Sequence, residues 1–313
     1  MLNKRSLAVT AVAALALAGC STAPEDDRPR VLAAIYPVQF LAQQVAGDRA
    51  LVDSLTPSGA EPHDLEIAPA QVRRIGTADV LVFVSGFQPA VDEAIAASGG
   101  SAQVVDATSV LGLELDHDDD HDEDHDDDES HPGLDHHDGH DHDGDPHFWL
   151  DPTLLAALAQ PLAEALSAVD PGGAATFAAN AERIASELAE LDAEYTARLS
   201  TCERREIVVG HEAYGYLAER YGLTQVGLSG IDPESEPSPA RLREIRAAIA
   251  EHEVTTIFTE TLVNPKAAEV LAKDLGLATA LLDPVEAQVD PEADYRDVMR
   301  ANLEALSTAL GCA

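Results

Sequence analysis

Phe177, Ala181, Ile184, Leu188, Leu191 and Tyr195 recur at spacings of four and three, which draws one apolar stripe along a helix. The stretch opens with Asp170-Pro171, a capping residue followed by proline in the first turn, and runs to about Ser200. At 1.5 Å per residue such a helix would be about 45 Å long. A helix of that length can cross two lobes and join them stiffly, where a flexible hinge would use short extended crossings. Residues 170–200 are therefore predicted to be a strut.

On both sides of the strut, strand-like apolar runs alternate with helical ones, the pattern of parallel sheets with helices on their faces. In the first half strands are predicted near 31–36, 50–55, 80–84 and 103–106, with helices near 38–46, 69–75 and 89–97. In the second half strands are predicted near 206–209, 224–228, 255–259 and 279–282. The helices there fall near 213–221, 239–252, 265–275 and 295–310. The fold class that follows is α/β, with two lobes (31–169 and 201–313). Each carries a four-stranded, mainly parallel sheet flanked by helices, and one long rigid helix joins them. A hydrophobic content of 45% is enough for one or two real cores.

The first nineteen residues have the build of an export signal: Lys4 and Arg5, then an apolar run over 7–18 too short to span a bilayer as a mature helix. It ends in Leu17-Ala18-Gly19-Cys20, which resembles a bacterial lipobox. That resemblance implies cleavage before Cys20, whose thiol carries lipid, with residues 20–30 as a flexible tether. The alternative is an ordinary secretory signal with an incidental cysteine. Cys202 and Cys312 remain, and an even pair in an exported chain suggests a disulfide. It would close a loop of about a hundred residues, valued at roughly 4–5 kcal/mol by chain entropy. Free buried thiols are the alternative; a zinc site on these sulfurs lacks any CxxC spacing.

Residues 116–145 run almost entirely on aspartate and histidine: eight histidines, fourteen aspartates and two glutamates, without lysine or arginine. Like charges this dense keep a segment unfolded, so the tract should be disordered without metal. Acidity alone does not call for His117, His121, His125, His131, His136, His137, His140 and His142, which offer borderline ligands suited to weak zinc binding. The formal charge of the chain is −38, which excludes nucleic acid as a partner. An anionic membrane surface would repel the protein too, which makes a lipid anchor more necessary.

Outside the tract four histidines remain: His63, His147, His211 and His252. His63 sits in a turn-rich segment past the second predicted strand, His147 just before a helix expected from Pro152, and His211 where a strand gives way to a helix. Ligands collect at the carboxyl ends of strands in open parallel sheets, so these three share a face. Asp283, directly after the strand at 279–282, adds a carboxylate. Three imidazoles and one carboxylate make a complete tetrahedral set for zinc. His252, at the end of a polar helix, suits the helix dipole as a surface residue.

At this point the text resembles a known family. Gly59-Ala60-Glu61-Pro62-His63-Asp64, Pro146-His147-Phe148-Trp149-Leu150-Asp151-Pro152, 209–217 around His211, and Glu260-Thr261-Leu262-Val263-Asn264-Pro265-Lys266 look like the zinc-binding ZnuA/TroA cluster of ABC-transporter solute-binding lipoproteins. The resemblance covers the whole mature chain. It implies two lobes bridged by a long helix, Zn2+ as transported ligand in the cleft, and a permease with its ATPase as partners. It also implies a monomer anchored on the outer face of the cell membrane. Carried over, the ligands are His63, His147, His211 and Asp283. Manganese-binding members tend to have glutamate at the His211 position, so histidine there favours zinc. Some zinc members place glutamate immediately before the first histidine; here Pro62 stands there and Glu61 one residue further off, so water or Asp283 should complete the shell.

An enzyme is not expected. A catalytic zinc keeps an open position for water. His211-Glu212 begins like HExxH, but Gly215 occupies the second histidine position. The competing readings are a manganese- or iron-binding homologue, a metal-dependent adhesin and a metallohydrolase.

Overall fold

The computed structural model describes residues 26–113, 115 and 144–313. The signal segment, Cys20 and nearly all of the Asp/His tract lie outside the described residues.

The first lobe contains β1 (Arg30–Ala33), α1 (Tyr36–Ala46), β2 (Leu51–Ser54), α2 (Pro69–Ile75), β3 (Val80–Phe83), α3 (Pro89–Ser98), β4 (Gln103–Asp106) and α4 (Ala107–Leu111). After the tract come a 3-10 turn at Phe148–Leu150, α5 (Pro152–Ala157) and α6 (Ala159–Val169). The long helix α7 (Ala174–Leu199) follows. The second lobe contains β5 (Glu206–Val209), α8 (Gly215–Tyr221), β6 (Thr224–Gly227), α9 (Pro239–Glu251), β7 (Thr256–Thr259), α10 (Lys266–Leu275), β8 (Ala278–Leu281) and α11 (Tyr295–Leu310).

Each lobe builds one four-stranded sheet, and both use the same order: β2-β1-β3-β4 and β6-β5-β7-β8. All pairings are parallel; Val31 stands opposite Val52 on one side and Val80 on the other, and Val208 stands between Val226 and Ile257. Proline opens α2, α3, α5 and α9, where its missing N–H costs nothing. Asp151, Ser238 and Asp294 cap α5, α9 and α11 through their side chains.

Strand alternation decides where the cores lie. Val31, Ala33, Val80 and Val82 point to one face of the first sheet and join the largest core, whereas Leu32, Leu81 and Phe83 form a smaller core on the other face. The second lobe divides likewise: Ile207, Val209 and Phe258 join the large core, Val208 and Ile257 a small one. The large core is therefore common to both lobes. The stripe Phe177, Ala181, Ile184, Leu188, Leu191 and Tyr195 of α7 is fully buried within it. Along its length α7 packs against α1, α5 and α6, then α8 and α11.

The predicted strut begins later than its cap. Pro171–Gly173 is a 3-10 turn, and the α-helix proper has 26 residues, about 39 Å at 1.5 Å per residue. Gly172-Gly173 is disfavoured inside a helix but tolerated at its N-cap, and a Cβ at Gly173 would lie 2.4 Å from Arg49 Nε and 2.6 Å from Phe177. The turn is the close approach that lets Arg49 reach Asp170 at 2.6 Å. α5 and α6 together make an apolar stretch, Pro152–Val169, long enough to cross a membrane by composition alone. Leu155, Leu158, Leu162 and Leu166 bury its apolar side in the shared core. Cys202 and Cys312 form a disulfide that ties the end of α7 to the end of α11.

Candidate metal centre

The carboxyl ends of both sheets face each other, and the imidazoles come from the loops there. His63 lies in the β2–α2 loop, where Glu61 accepts from the backbone N–H of His63 (3.0 Å) and Asp64 (3.2 Å). Glu61 thus shapes the loop and is not among the gathered donors. Buried Gln88 donates to the carbonyl of Pro62 (2.9 Å), fixing the residue before His63, and Phe87 meets the ring edge-on at 4.7 Å.

His147 is fully buried at the start of the 3-10 turn. Asp145 accepts from both its backbone N–H (2.9 Å) and its Nδ1–H (2.7 Å), which leaves Nε2 free to act as a lone-pair donor. His211, two residues past β5, repeats the device: Glu260, directly after β7, accepts from its N–H (3.0 Å) and Nδ1–H (2.7 Å). Gly210 is required here, because a Cβ would lie 2.4 Å from the Glu260 carboxylate.

The structure brings His63, His147 and His211 together, but the carboxylate beside them belongs to Glu286 and not to Asp283. Glu286 Oε1 lies 3.3 Å from His63 Nε2, 3.0 Å from His147 Nε2 and 3.3 Å from His211 Nε2. The four donor atoms all fall within 4.8 Å of one another. Tetrahedral arms of about 2.0–2.1 Å would set donors about 3.3 Å apart, so the cluster is sized for a single zinc-like ion.

Asp283 stands at the end of its strand as expected, yet its carboxylate is spent on the turn. Oδ1 accepts from Val285 N–H (2.7 Å) and Oδ2 from the Thr261 hydroxyl (3.1 Å). The chain runs on through Val285, which has φ 60°, and delivers Glu286 to the imidazoles. A β-branched residue in the left-handed region is strained, on the order of 1–3 kcal/mol. Nothing in an alternation or helix pattern marks that reversal. The only sequence signal was a second carboxylate three residues beyond Asp283.

Walls from both lobes close the site. Trp149 Nε1–H donates to Pro284 O (2.8 Å), Tyr36 N–H to Glu286 O (3.3 Å), and Tyr295 O–H to Trp149 O (2.6 Å). The His63 side chain is 11% exposed while those of His147, His211 and Glu286 are 0–2% exposed, so His63 is the entrance. His252 stays apart at the end of α9, half-exposed and 3.2 Å from Glu206.

Charge in the cluster is strongly coupled. Burial disfavours a charged His211, but the carboxylates of Glu260 and Glu286 outweigh it and hold the pKa up at about 10. Burial likewise opposes charge on His147, and Asp145 and Glu286 overcome it, leaving the pKa raised. For Glu286 burial would raise the pKa, but three imidazoles pull it well below the usual carboxylate range. Without metal, the neighbouring carboxylates favour the protonated forms of His147 and His211.

The sequence family described as zinc-uptake complex component A, periplasmic (ZnuA) matches residues 31–309. The chain is 32% identical over 289 residues to the high-affinity zinc uptake system protein ZnuA of Bacillus subtilis, covering 91% of this chain and 88% of that protein. Its fold is similar to the laminin-binding protein Lmb of Streptococcus agalactiae, a bifunctional protein with adhesin and metal-transporting activity. There the TM-score is 0.76 at 32% identity, over 90% of this chain and 99% of that one. It also resembles zinc-bound AdcA of Streptococcus pneumoniae, with TM-score 0.72 and 30% identity over 90% of this chain, but spans only 58% of that longer protein.

Proposed function

Because the chain belongs to the family of zinc-uptake component A, it is a zinc-binding solute-binding protein of an ABC importer, and we propose that its cargo sits between His63, His147, His211 and Glu286. The observation that carries this reading is the convergence of three imidazole nitrogens and one carboxylate oxygen within 4.8 Å. Asp145 and Glu260 fix the neutral tautomers that can ligate, and the buried surroundings exclude competing water. Nitrogen-rich ligation favours zinc over manganese.

Four protein donors fill a tetrahedral shell, which supports a binding role without catalysis. Glu212, the would-be base of a protease motif, pairs instead with Arg241 at 2.5 Å. The protein acts as a monomer, tethered by lipid on Cys20 outside the cytoplasm, and passes zinc to the permease. The tract over 116–145 collects zinc weakly and, leading into His147, presents it at millimolar-range effective concentration beside the entrance. Adhesion, named with metal transport for the S. agalactiae relative, is a secondary reading for this chain.

Equilibrium titration with zinc and with manganese, on full-length protein and on protein lacking residues 116–143, tests the proposal. One tight zinc and one or more weaker zincs are expected in the full-length protein. The deletion should abolish the weak sites and leave the tight one within about threefold, about 0.7 kcal/mol. Loss of tight binding on deletion would show that the tract supplies a ligand. Deleting the gene should slow growth under zinc limitation, and rescue by manganese alone would show that the metal is wrong.

A further inference from the structure

We infer that Asp283 and Asn302 are positioning residues that hold the strained turn at Val285, and thereby aim Glu286 at the three imidazoles. The inference rests on the metal-site reading above and adds how the fourth donor is kept in place.

Three features converge on four residues. Val285 is buried, β-branched and left-handed, one of two non-glycine residues with positive φ among those described. Such a conformation persists only where its surroundings over-determine it. Asp283 supplies one constraint by accepting from Val285 N–H at 2.7 Å. Asn302, buried on α11 beside Met299 and Leu303, supplies the next: its Oδ1 accepts from Asp283 N–H (2.9 Å) and its Nδ2 donates to Asp283 O (2.6 Å). A buried asparagine is costly unless its amide is used at both ends, and here both ends grip one residue.

The grip has a direction. Beyond Val285 the chain must turn so that the Glu286 carbonyl meets Tyr36 N–H and its carboxylate enters the cluster. If Val285 relaxed to an ordinary extended or helical φ, the following peptide would rotate and Glu286 would leave the imidazoles. Asp283 itself points away from them, toward Thr261. Its influence on the metal therefore passes through Glu286.

The test is competitive zinc titration of full-length protein and of Glu286→Gln, Asp283→Ala, Asp283→Asn and the double variant Asp283→Ala/Glu286→Gln, with cobalt(II) absorption spectra of each. Glu286→Gln and Asp283→Ala should each weaken zinc by about tenfold or more and change the cobalt spectrum in the same way. Asp283→Asn keeps the acceptor for Val285 N–H and should stay within about twofold of the unmodified protein. The double variant should bind within about twofold of Glu286→Gln alone, which also shows that Asp283→Ala leaves the fold intact. Additive losses in the double variant, or an Asp283→Asn as weak as Asp283→Ala, would overturn the inference, the second by making Asp283 a ligand through its charge. A loss in Glu286→Gln with none in Asp283→Ala overturns the inference alone. Unchanged affinity in Glu286→Gln overturns the fourth-ligand assignment on which it rests.

Discussion

At the level of single residues, each imidazole is set by a partner of its own: Asp145 holds His147, Glu260 holds His211, and Gln88 fixes the residue before His63. Alanine at His63, His147 or His211 should weaken zinc at least about tenfold, or about 1.4 kcal/mol, in a competition titration. Near-native affinity in all three would remove the site. Glu286 was not legible, since its approach depends on one left-handed valine, and a φ value leaves no periodic trace. His63, His147 and His211 are placed at element ends by their neighbours in sequence, whereas Asp283 turns its carboxylate to Val285 N–H and Thr261, because sequence places a residue at a strand end but not the side chain's partner.

The charges of these residues set a pH dependence. Zinc needs neutral imidazole, whose ordinary pKa is about 6.5, but the carboxylates of Glu260 and Glu286 hold His211 up at about 10 in the metal-free protein. Apparent affinity should therefore keep rising from about pH 7 toward about pH 10, and fall steeply from about pH 7 to about pH 5. A flat profile would argue against imidazole ligation. Stability of the metal-free protein runs the other way. A raised histidine pKa stabilises the fold fully below the unfolded value of about 6.5, and that contribution is lost as pH climbs through about 10. The depressed pKa of Glu286 acts only at the acid end, being lost as pH falls well below the carboxylate range. Thermal unfolding without metal should show a lower midpoint at about pH 10 than at about pH 7.

Among elements, every predicted strand is present to within a few residues, because each is a short apolar run bounded by turn residues. The order of strands within the sheets, identical in both lobes, was not accessible: parallel neighbours are chosen by crossover packing, which single-sequence patterns do not encode. The break between α5 and α6 and the delayed start of α7 were likewise hidden, set by tertiary contacts such as Arg49 against Asp170. The pairing of Cys202 with Cys312 pins two helix ends 110 residues apart in sequence. Cys202→Ser should lower unfolding free energy by about 2–5 kcal/mol in denaturant, yet leave zinc affinity unchanged. A loss of affinity would mean that this distant clasp also shapes the metal centre.

For the whole molecule, the decisive feature is that both lobes and α7 contribute to one apolar core. A core shared this way resists any parting of the two lobes, so capture is expected to be a single encounter. The observed association rate should rise in proportion to zinc concentration, without the plateau that a slow opening step would impose. Trp149, the chain's single tryptophan, has its ring 5.2 Å from that of His147 and can report the event by stopped-flow fluorescence. Supply of the ion, rather than readiness of the receptor, then sets the pace of uptake when the metal is scarce.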